Sequence, residues 1–166
     1  VIEAVGFDLD STIAYTYHRQ WMVPAILAKG EGAPTWDDYS MECTNDTPIE
    51  GTVELMRRLS SAGYLIFIIT GRSAGAEALT RHWLNRHHIP CDALVMRPAG
   101  DRTANGKFKV EQIRRSADLG YRVVLFVEDW PEAAEYITEH TGIPCLLVNA
   151  NYPADAPHQN ENSRGV

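Results

Sequence analysis

Apolar runs and amphipathic stretches alternate along the chain. Glu3 to Asp10 reads Glu-Ala-Val-Gly-Phe-Asp-Leu-Asp, a short apolar run ending in acids. That is the pattern of a buried strand with carboxylates at its C-terminal end. Ile49, Val53, Met56 and Leu59 recur at helical spacing up to Ala62, and Gly63 is a natural stop. Tyr64 to Thr70 is continuous and β-rich, which suits a strand covered on both faces. The pattern then predicts a helix over 75–87, a short strand from Ala93 to Met96, a polar loop over 97–106 and a helix over 108–118. Val123 to Val127 reads as another buried strand, Pro131 opens a helix that Gly142 closes, and Cys145 to Val148 gives a last strand. Residues 15–48 lack such a period. Tyr15, Tyr17, Trp21, Trp36 and Tyr39 are spread among Pro24, Gly30, Gly32 and Pro34, with a short helix near 22–29.

Strands alternating with helices imply an α/β, Rossmann-like domain: a mainly parallel sheet, flanked by helices, with right-handed crossovers. At 166 residues and 45% hydrophobic the chain can build one core. We assign 1–150 to that domain, with 15–48 as a small cap or flap insert after the first strand. The polar tail at 151–166 reads as a partly disordered extension. No apolar run approaches the ~18–20 residues of a membrane span, and no leader-like series opens the sequence, so the expectation is a cytoplasmic protein. Cys43, Cys91 and Cys145 form no ligand pair and read as reduced thiols. The formal charge of −7 disfavours a general nucleic-acid coating protein. It conceals a split: residues 81–122 carry +5 and the remainder −12.

Ligands of open parallel sheets bind beyond the carboxyl ends of the strands. There the first strand offers Asp8 and Asp10, with Thr12 just after; the second offers Thr70-Gly71-Arg72; the fourth offers Glu128-Asp129. Lys107 and Lys109 stand at the start of a helix. Asp8 and Asp10 project to opposite sides of a strand unless the backbone turns between them. Clustered carboxylates repel one another unless a cation sits among them, and hard oxygen ligands suit Mg²⁺ beside a substrate phosphate. A hydroxyl, backbone N–H groups and a lysine would hold the phosphoryl oxygens, which is the requirement of phosphoryl transfer. An aspartate nucleophile makes a covalent intermediate chemically reasonable.

Phe7-Asp8-Leu9-Asp10-Ser11-Thr12 resembles the DxDx[TV] signature of the haloacid dehalogenase (HAD) superfamily. Thr70 after an apolar strand, a lysine at a helix start and the acidic pair Glu128-Asp129 match its other three motifs in order. The resemblance implies a Mg²⁺-dependent phosphatase. Asp8 would be nucleophile and Mg²⁺ ligand. Asp10 would be general acid/base and would bind Mg²⁺ through its backbone carbonyl. Thr70 would hydrogen-bond the phosphoryl group, and Asp129 would bind Mg²⁺ with Glu128 assisting. Lys109 fits the third motif ahead of Lys107.

A narrower resemblance joins Thr70-Gly71-Arg72-Ser73 to Met96-Arg97-Pro98-Ala99-Gly100-Asp101-Arg102 and a lysine-led helix. This is similar to the 3′-phosphatase domains of bacteriophage polynucleotide kinase/phosphatases. It implies that Arg72, Arg97 and Arg102 approach a phosphate or nucleic-acid backbone, with Thr12, Gly71 and Lys107 also at the substrate. The implied substrate is a nucleic-acid 3′-phosphate end, in a host cytoplasm if the protein is phage-encoded. Alternatives are a nucleotidase acting on free mononucleotides and a noncatalytic binding module on the same scaffold. Trp21, Trp36 and Tyr39 read as a local mini-core, with a base-stacking platform as the alternative. His82, His87 and His88 read as surface residues. Gly100 to Phe108 superficially resembles a phosphate-binding P-loop, but five residues separate its glycines and Phe108 follows the lysine, so a fused kinase is excluded.

Overall fold

The structure, a computed structural model, describes residues 1–149. The tail expected at 151–166 lies outside them. Five parallel strands form the sheet: β1 (Ile2–Phe7), β4 (Leu65–Ser73), β5 (Ala93–Arg97), β6 (Tyr121–Glu128) and β7 (Cys145–Leu147). Their order is β5-β4-β1-β6-β7, so β1 occupies the centre, between β4 and β6. Alternation along β4 explains the two cores. Ile66 and Ile68 pack on one face with Val53 and Met56 of α3 (Glu50–Ser61) and Trp83 and Leu84 of α4 (Glu77–Arg86). Phe67 and Ile69 pack on the other face with Phe108 and Ile113 of α5 (Asn105–Asp118) and Ile137 of α6 (Pro131–Thr141). Both faces are covered, which is why these strands read as continuous apolar runs. Pro131 stands at the start of α6, and Gly142 caps it in the left-handed conformation at φ 72°.

Two boundaries differ from the sequence reading. The β4 strand continues past Thr70 to Ser73, through a register irregularity against β5 between those two residues. The α5 helix begins at Asn105, three residues earlier than expected, which puts Lys107 and Lys109 inside it.

Residues 15–48 are more ordered than their irregular pattern suggested. A two-stranded antiparallel ladder, β2 (Ala14–Tyr15) with β3 (Thr47–Pro48), closes the insert at its base. Between them lie a 3₁₀ turn (Tyr17–Met22), α1 (Val23–Ala28), α2 (Trp36–Met41) and a second 3₁₀ turn (Glu42–Asn45). Thr35 and Asp38 cap α2 reciprocally: the Asp38 N–H donates to Thr35 Oγ1 at 3.1 Å, and the Thr35 N–H donates to Asp38 Oδ2 at 2.7 Å. Met22, Val23, Ile26 and Tyr39 form the insert's own core with Trp36 packed on it. Trp21 departs from the expected mini-core: it is 69% exposed.

Candidate active site

The centre of the sheet delivers the first carboxylates. Asp8 prolongs β1 by one bond, donating its N–H to Val127 O at 2.9 Å. The chain then turns sharply. Leu9 O accepts the N–H groups of Thr12, Ile13 and Ala14, and Ser11 sits at φ 65°. This is the turn that the pair Asp8/Asp10 requires, and both side chains line one cleft of about 300 Å³. Its other walls come from the ends of β4, β5 and β6, the start of α5, and the insert.

Lys109 reaches the floor of the cleft from the second turn of α5. Its Nζ donates to Asp8 Oδ1 at 2.7 Å and to Glu128 Oε2 at 2.5 Å, with the side chain 2% exposed. Burial opposes its charge, but Asp8 and Glu128 outweigh burial and hold it as an ammonium. Lys107 is exposed on the same helix and lies outside the cleft, so Lys109, not Lys107, stands against Asp8. Burial pushes the Asp8 carboxyl up to about 7, against the pull of Lys109 and with the repulsion of Glu128. Oxygens of Asp8, Glu128 and Asp129 lie within 4.8 Å of one another. Three carboxylates against one lysine leave excess negative charge in a buried, all-oxygen cluster, a donor set that fits Mg²⁺.

The two acids after β6 are placed differently. Glu128 spends both oxygens on the protein: Oε2 on Lys109, and Oε1 on the N–H groups of Asp129 (3.0 Å) and Trp130 (3.2 Å). Asp129 is half-buried and lines the cleft. Thr12 is fully buried beneath it, its Oγ1 lying 3.3 Å from Asp8 Oδ2 and 3.5 Å from Asp129 Oδ1. Its hydroxyl thus braces the acids, which differs from the substrate contact the resemblance implied. Thr70 lines the cleft, and its oxygen accepts the Arg72 N–H at 3.0 Å, leaving the hydroxyl proton to donate.

Asp10 belongs to a different cluster. Its carboxylate is turned to Arg72 and to Arg19 Nη2 (2.8 Å), and the same guanidiniums hold Asp46. Asp46 Oδ1 accepts from Arg19 Nε at 2.9 Å, and Asp46 Oδ2 accepts from Arg19 Nη2 and Arg72 Nη2 at 2.7 Å each. Burial opposes ionisation of Asp10, but Arg72 and Arg19 outweigh it and hold the carboxyl well below the usual carboxylate range. Arg72 is therefore not an open substrate arginine: fully buried, it divides its guanidinium among Asp10, Asp46 and Thr80 Oγ1 (3.1 Å). Sequence reasoning missed Arg19 and Asp46. The available signal was that Arg19 is the lone arginine of 15–48, set among aromatic residues. Tyr39 flanks it, with the Arg19 guanidinium 4.3 Å from the ring centroid and Nη1 donating to Tyr39 O at 2.9 Å.

Arg97, at the end of β5, lines the opposite wall. Its Nη2 donates to Asn105 Oδ1, its guanidinium lies 5.5 Å from the Phe108 ring centroid, and its buried Nε has no hydrogen-bond partner among the described residues. Gly71 makes this arrangement possible. A Cβ there would stand 2.5 Å from Asn105 Oδ1 and 3.0 Å from Arg97 Nη2. Gly71 thus gives room to Arg97 as well as lining the cleft. Arg102 lies further out, 54% exposed, with Nη2 3.8 Å from Asp37 Oδ2 of the insert.

This fold, with an aspartate after the central strand and a lysine and acids gathered around it, is the arrangement that the resemblance to the haloacid dehalogenase superfamily implies. The model of the polynucleotide kinase PNKP phosphatase domain matches residues 2–152, and the chain belongs to that family. Among solved structures, a chain of the Pnkp1/Rnl/Hen1 RNA repair complex is 19% identical with a TM-score of 0.73, over 90% of this chain and 43% of that one. The class C acid phosphatase from Bacillus anthracis is 24% identical with a TM-score of 0.58, over 80% and 53% of the two chains. A haloacid dehalogenase-like hydrolase from Streptococcus pneumoniae is 16% identical with a TM-score of 0.61, over 89% and 85%. The chain spans less than half the length of the repair-complex chains it matches. No curated protein sequence matches it. Among the described residues no helix is long and apolar enough to cross a membrane, and the three cysteines are free thiols.

Proposed function

We propose that this chain is a Mg²⁺-dependent phosphatase that removes 3′-phosphates from DNA or RNA ends through an aspartyl-phosphate on Asp8. The observation that carries the reading is the floor of the cleft: Asp8 bonded to Lys109 at 2.7 Å, with Glu128 and Asp129 beside it. Asp8 Oδ2 attacks phosphorus, and the bond from phosphorus to the 3′ oxygen breaks. Lys109, oriented by Glu128, balances charge on Asp8 and the transferred group. Thr70 donates its hydroxyl to a phosphoryl oxygen, and Arg97 lines the cleft as a further cation. Asp8 and Asp129 would hold Mg²⁺, with Glu128 completing the negative charge of the site; the bound ion supplies Lewis-acid stabilisation of phosphoryl charge.

Asp10 manages the protons. It protonates the departing 3′ oxygen, then takes a proton from the water that attacks the aspartyl-phosphate, which releases inorganic phosphate and restores Asp8. With Arg19 and Arg72 on it, Asp10 is a carboxylate, the form needed for water activation. In the first half-reaction that carboxylate takes the proton of a substrate bound as its monoanion and passes it to the departing 3′ oxygen; the proton later taken from water leaves with the released phosphate.

Replacing Asp8 with asparagine is expected to abolish Mg²⁺-dependent phosphate release from an aryl phosphate; retained turnover refutes the nucleophile. An oligonucleotide bearing a 3′- or a 5′-phosphate is then compared with free 3′- and 5′-mononucleotides. The 3′-phosphorylated oligonucleotide is expected to have the highest kcat/KM, and preference for a mononucleotide refutes the end-processing role.

A further inference from the structure

Resting on the role given to Asp10 above, we infer that His18 is a positioning residue: as an imidazolium it holds Asp46, and through Asp46 and Arg19 it fixes Asp10. His18 lies outside the cleft, on the first 3₁₀ turn of the insert, with its side chain 25% exposed. Its Nε2 lies 3.0 Å from Glu42 O on the second turn. A carbonyl oxygen only accepts, so this bond fixes a proton on Nε2, and the neutral ring keeps its lone pair on Nδ1. Nδ1 is buried, has no hydrogen-bond partner among the described residues, and stands 3.7 Å from Asp46 Oδ1. In the neutral ring a lone pair therefore faces a buried carboxylate. In the imidazolium an N–H faces it, and only that form gives both ring nitrogens a partner.

Asp46 is the post on which the arginines hang. Its Oδ1 accepts from Arg19 Nε and its Oδ2 from Arg19 and Arg72, the same two guanidiniums that hold Asp10. Its backbone is tied as well: its N–H donates to Cys43 O at 3.1 Å, and its carbonyl accepts Trp83 Nε1 at 2.7 Å. Two guanidiniums here face two carboxylates. A charged His18 adds a third cation on Asp46, outside the cleft. Arg19 and Arg72 then turn more of their charge to Asp10 and keep it the carboxylate that accepts a proton. The other groups around the ring cannot do this. On its own turn, Tyr17 meets it edge-on with ring centroids 6.3 Å apart, and Arg19 is spent on Asp46, Asp10 and Tyr39 O. On the second turn, the Glu42 side chain is exposed and Cys43 Sγ lies 3.9 Å from Thr80 Oγ1. The α1 helix, which follows the first turn, carries no titratable side chain.

The test compares the wild type with His18→Gln, which can still donate to Glu42 O but never carries charge. Imidazoles change charge between about pH 5 and 8, so the two ends of that range are compared. The measured quantity is the ratio of wild-type to variant kcat on an aryl phosphate at saturating Mg²⁺, in which the titrations shared by both proteins cancel. It is expected to be about tenfold at the acid end and near unity at the alkaline end. KM should be alike in both proteins, because His18 does not line the cleft. Urea unfolding of the metal-free wild type, His18→Gln, Asp46→Asn and the double variant reads the contact without activity. At the acid end the two single effects on the unfolding constant, multiplied, should exceed the double effect about tenfold, and at the alkaline end they should match it. A kcat ratio equal at both ends refutes the inference and leaves the role of Asp10 standing, and so does an absence of coupling at the acid end. An Asp10→Asn variant that turns over the aryl phosphate like the wild type refutes the role of Asp10 and the positioning of it together.

Discussion

Replacing Asp46 with asparagine removes a single charge from a position that touches neither Asp8 nor the three-carboxylate cluster. In the native protein the Asp46 side chain is fully buried and accepts three charge-assisted bonds, two from Arg19 and one from Arg72. Asparagine keeps the volume but turns an amide N–H₂ or a weaker acceptor towards two guanidiniums, leaving Asp10 as their remaining carboxylate. Breaking a buried ion pair from one side costs about 3–5 kcal/mol, because the partner charge stays buried without compensation. For a domain of this size about 2–4 °C of Tm accompanies each kcal/mol, so the melting temperature should fall by roughly 6–20 °C. Urea unfolding at fixed pH, with calorimetry, measures both quantities. Glu54→Gln supplies the comparison: its pair with Arg58 is 2.7 Å long but exposed, and its loss should cost less than about 1 kcal/mol. An Asp46→Asn variant as stable as Glu54→Gln would refute the view that this buried cluster is held by its carboxylates.

Gly71→Ala should destabilise the protein by about 1–3 kcal/mol and lower kcat/KM, since the new methyl collides with Asn105 and Arg97. Adding Asn105→Ala should recover stability, as read by thermal unfolding. Lys109→Met should lower kcat by at least about 100-fold in a phosphate-release assay. Lys107→Ala, at an exposed position, should change stability by less than about 0.5 kcal/mol. Burial holds the metal-free Asp8 carboxyl near 7, and Mg²⁺ binds its deprotonated form. Apparent Mg²⁺ affinity should therefore climb about tenfold per pH unit below 7 and level off above it. Titration calorimetry in two buffers checks the released proton. The same raised value stabilises the metal-free fold most below the ordinary carboxylate pKa of 3.8 and is lost as pH rises through about 7.

The sheet was legible because its strands are buried on both faces and their apolar runs end where chemistry begins: Phe7 before Asp8, Ile69 before Thr70, Val127 before Glu128. The α6 helix was legible from Pro131 and Gly142. The insert was not, because its elements are two to six residues long and are held by contacts distant in sequence, such as Arg19 with Asp46 and Trp83 Nε1 with Asp46 O at 2.7 Å. No local period records such contacts. The surroundings of Arg72 were illegible for a related reason. Asp10 and Asp46 lie 62 and 26 residues from it in the chain, and only the three-dimensional arrangement brings them onto its guanidinium. Lys107 and Lys109 are two residues apart, so helical geometry alone sends them to different sides, and the motif's place at the helix start favoured Lys109.

The central place of β1 also governs when this molecule can become competent during synthesis. The Asp8 side chain depends on Lys109, 101 residues later, and its backbone on Val127, later still. A nascent chain that has not released β6 from the ribosome has β1 with one flank unpaired and no acidic pair to complete the nucleophile's surroundings. Such non-local closure is slow relative to hairpins and helices. The surroundings of Asp8 thus close only after β6 has joined β1 and Glu128 has reached Lys109.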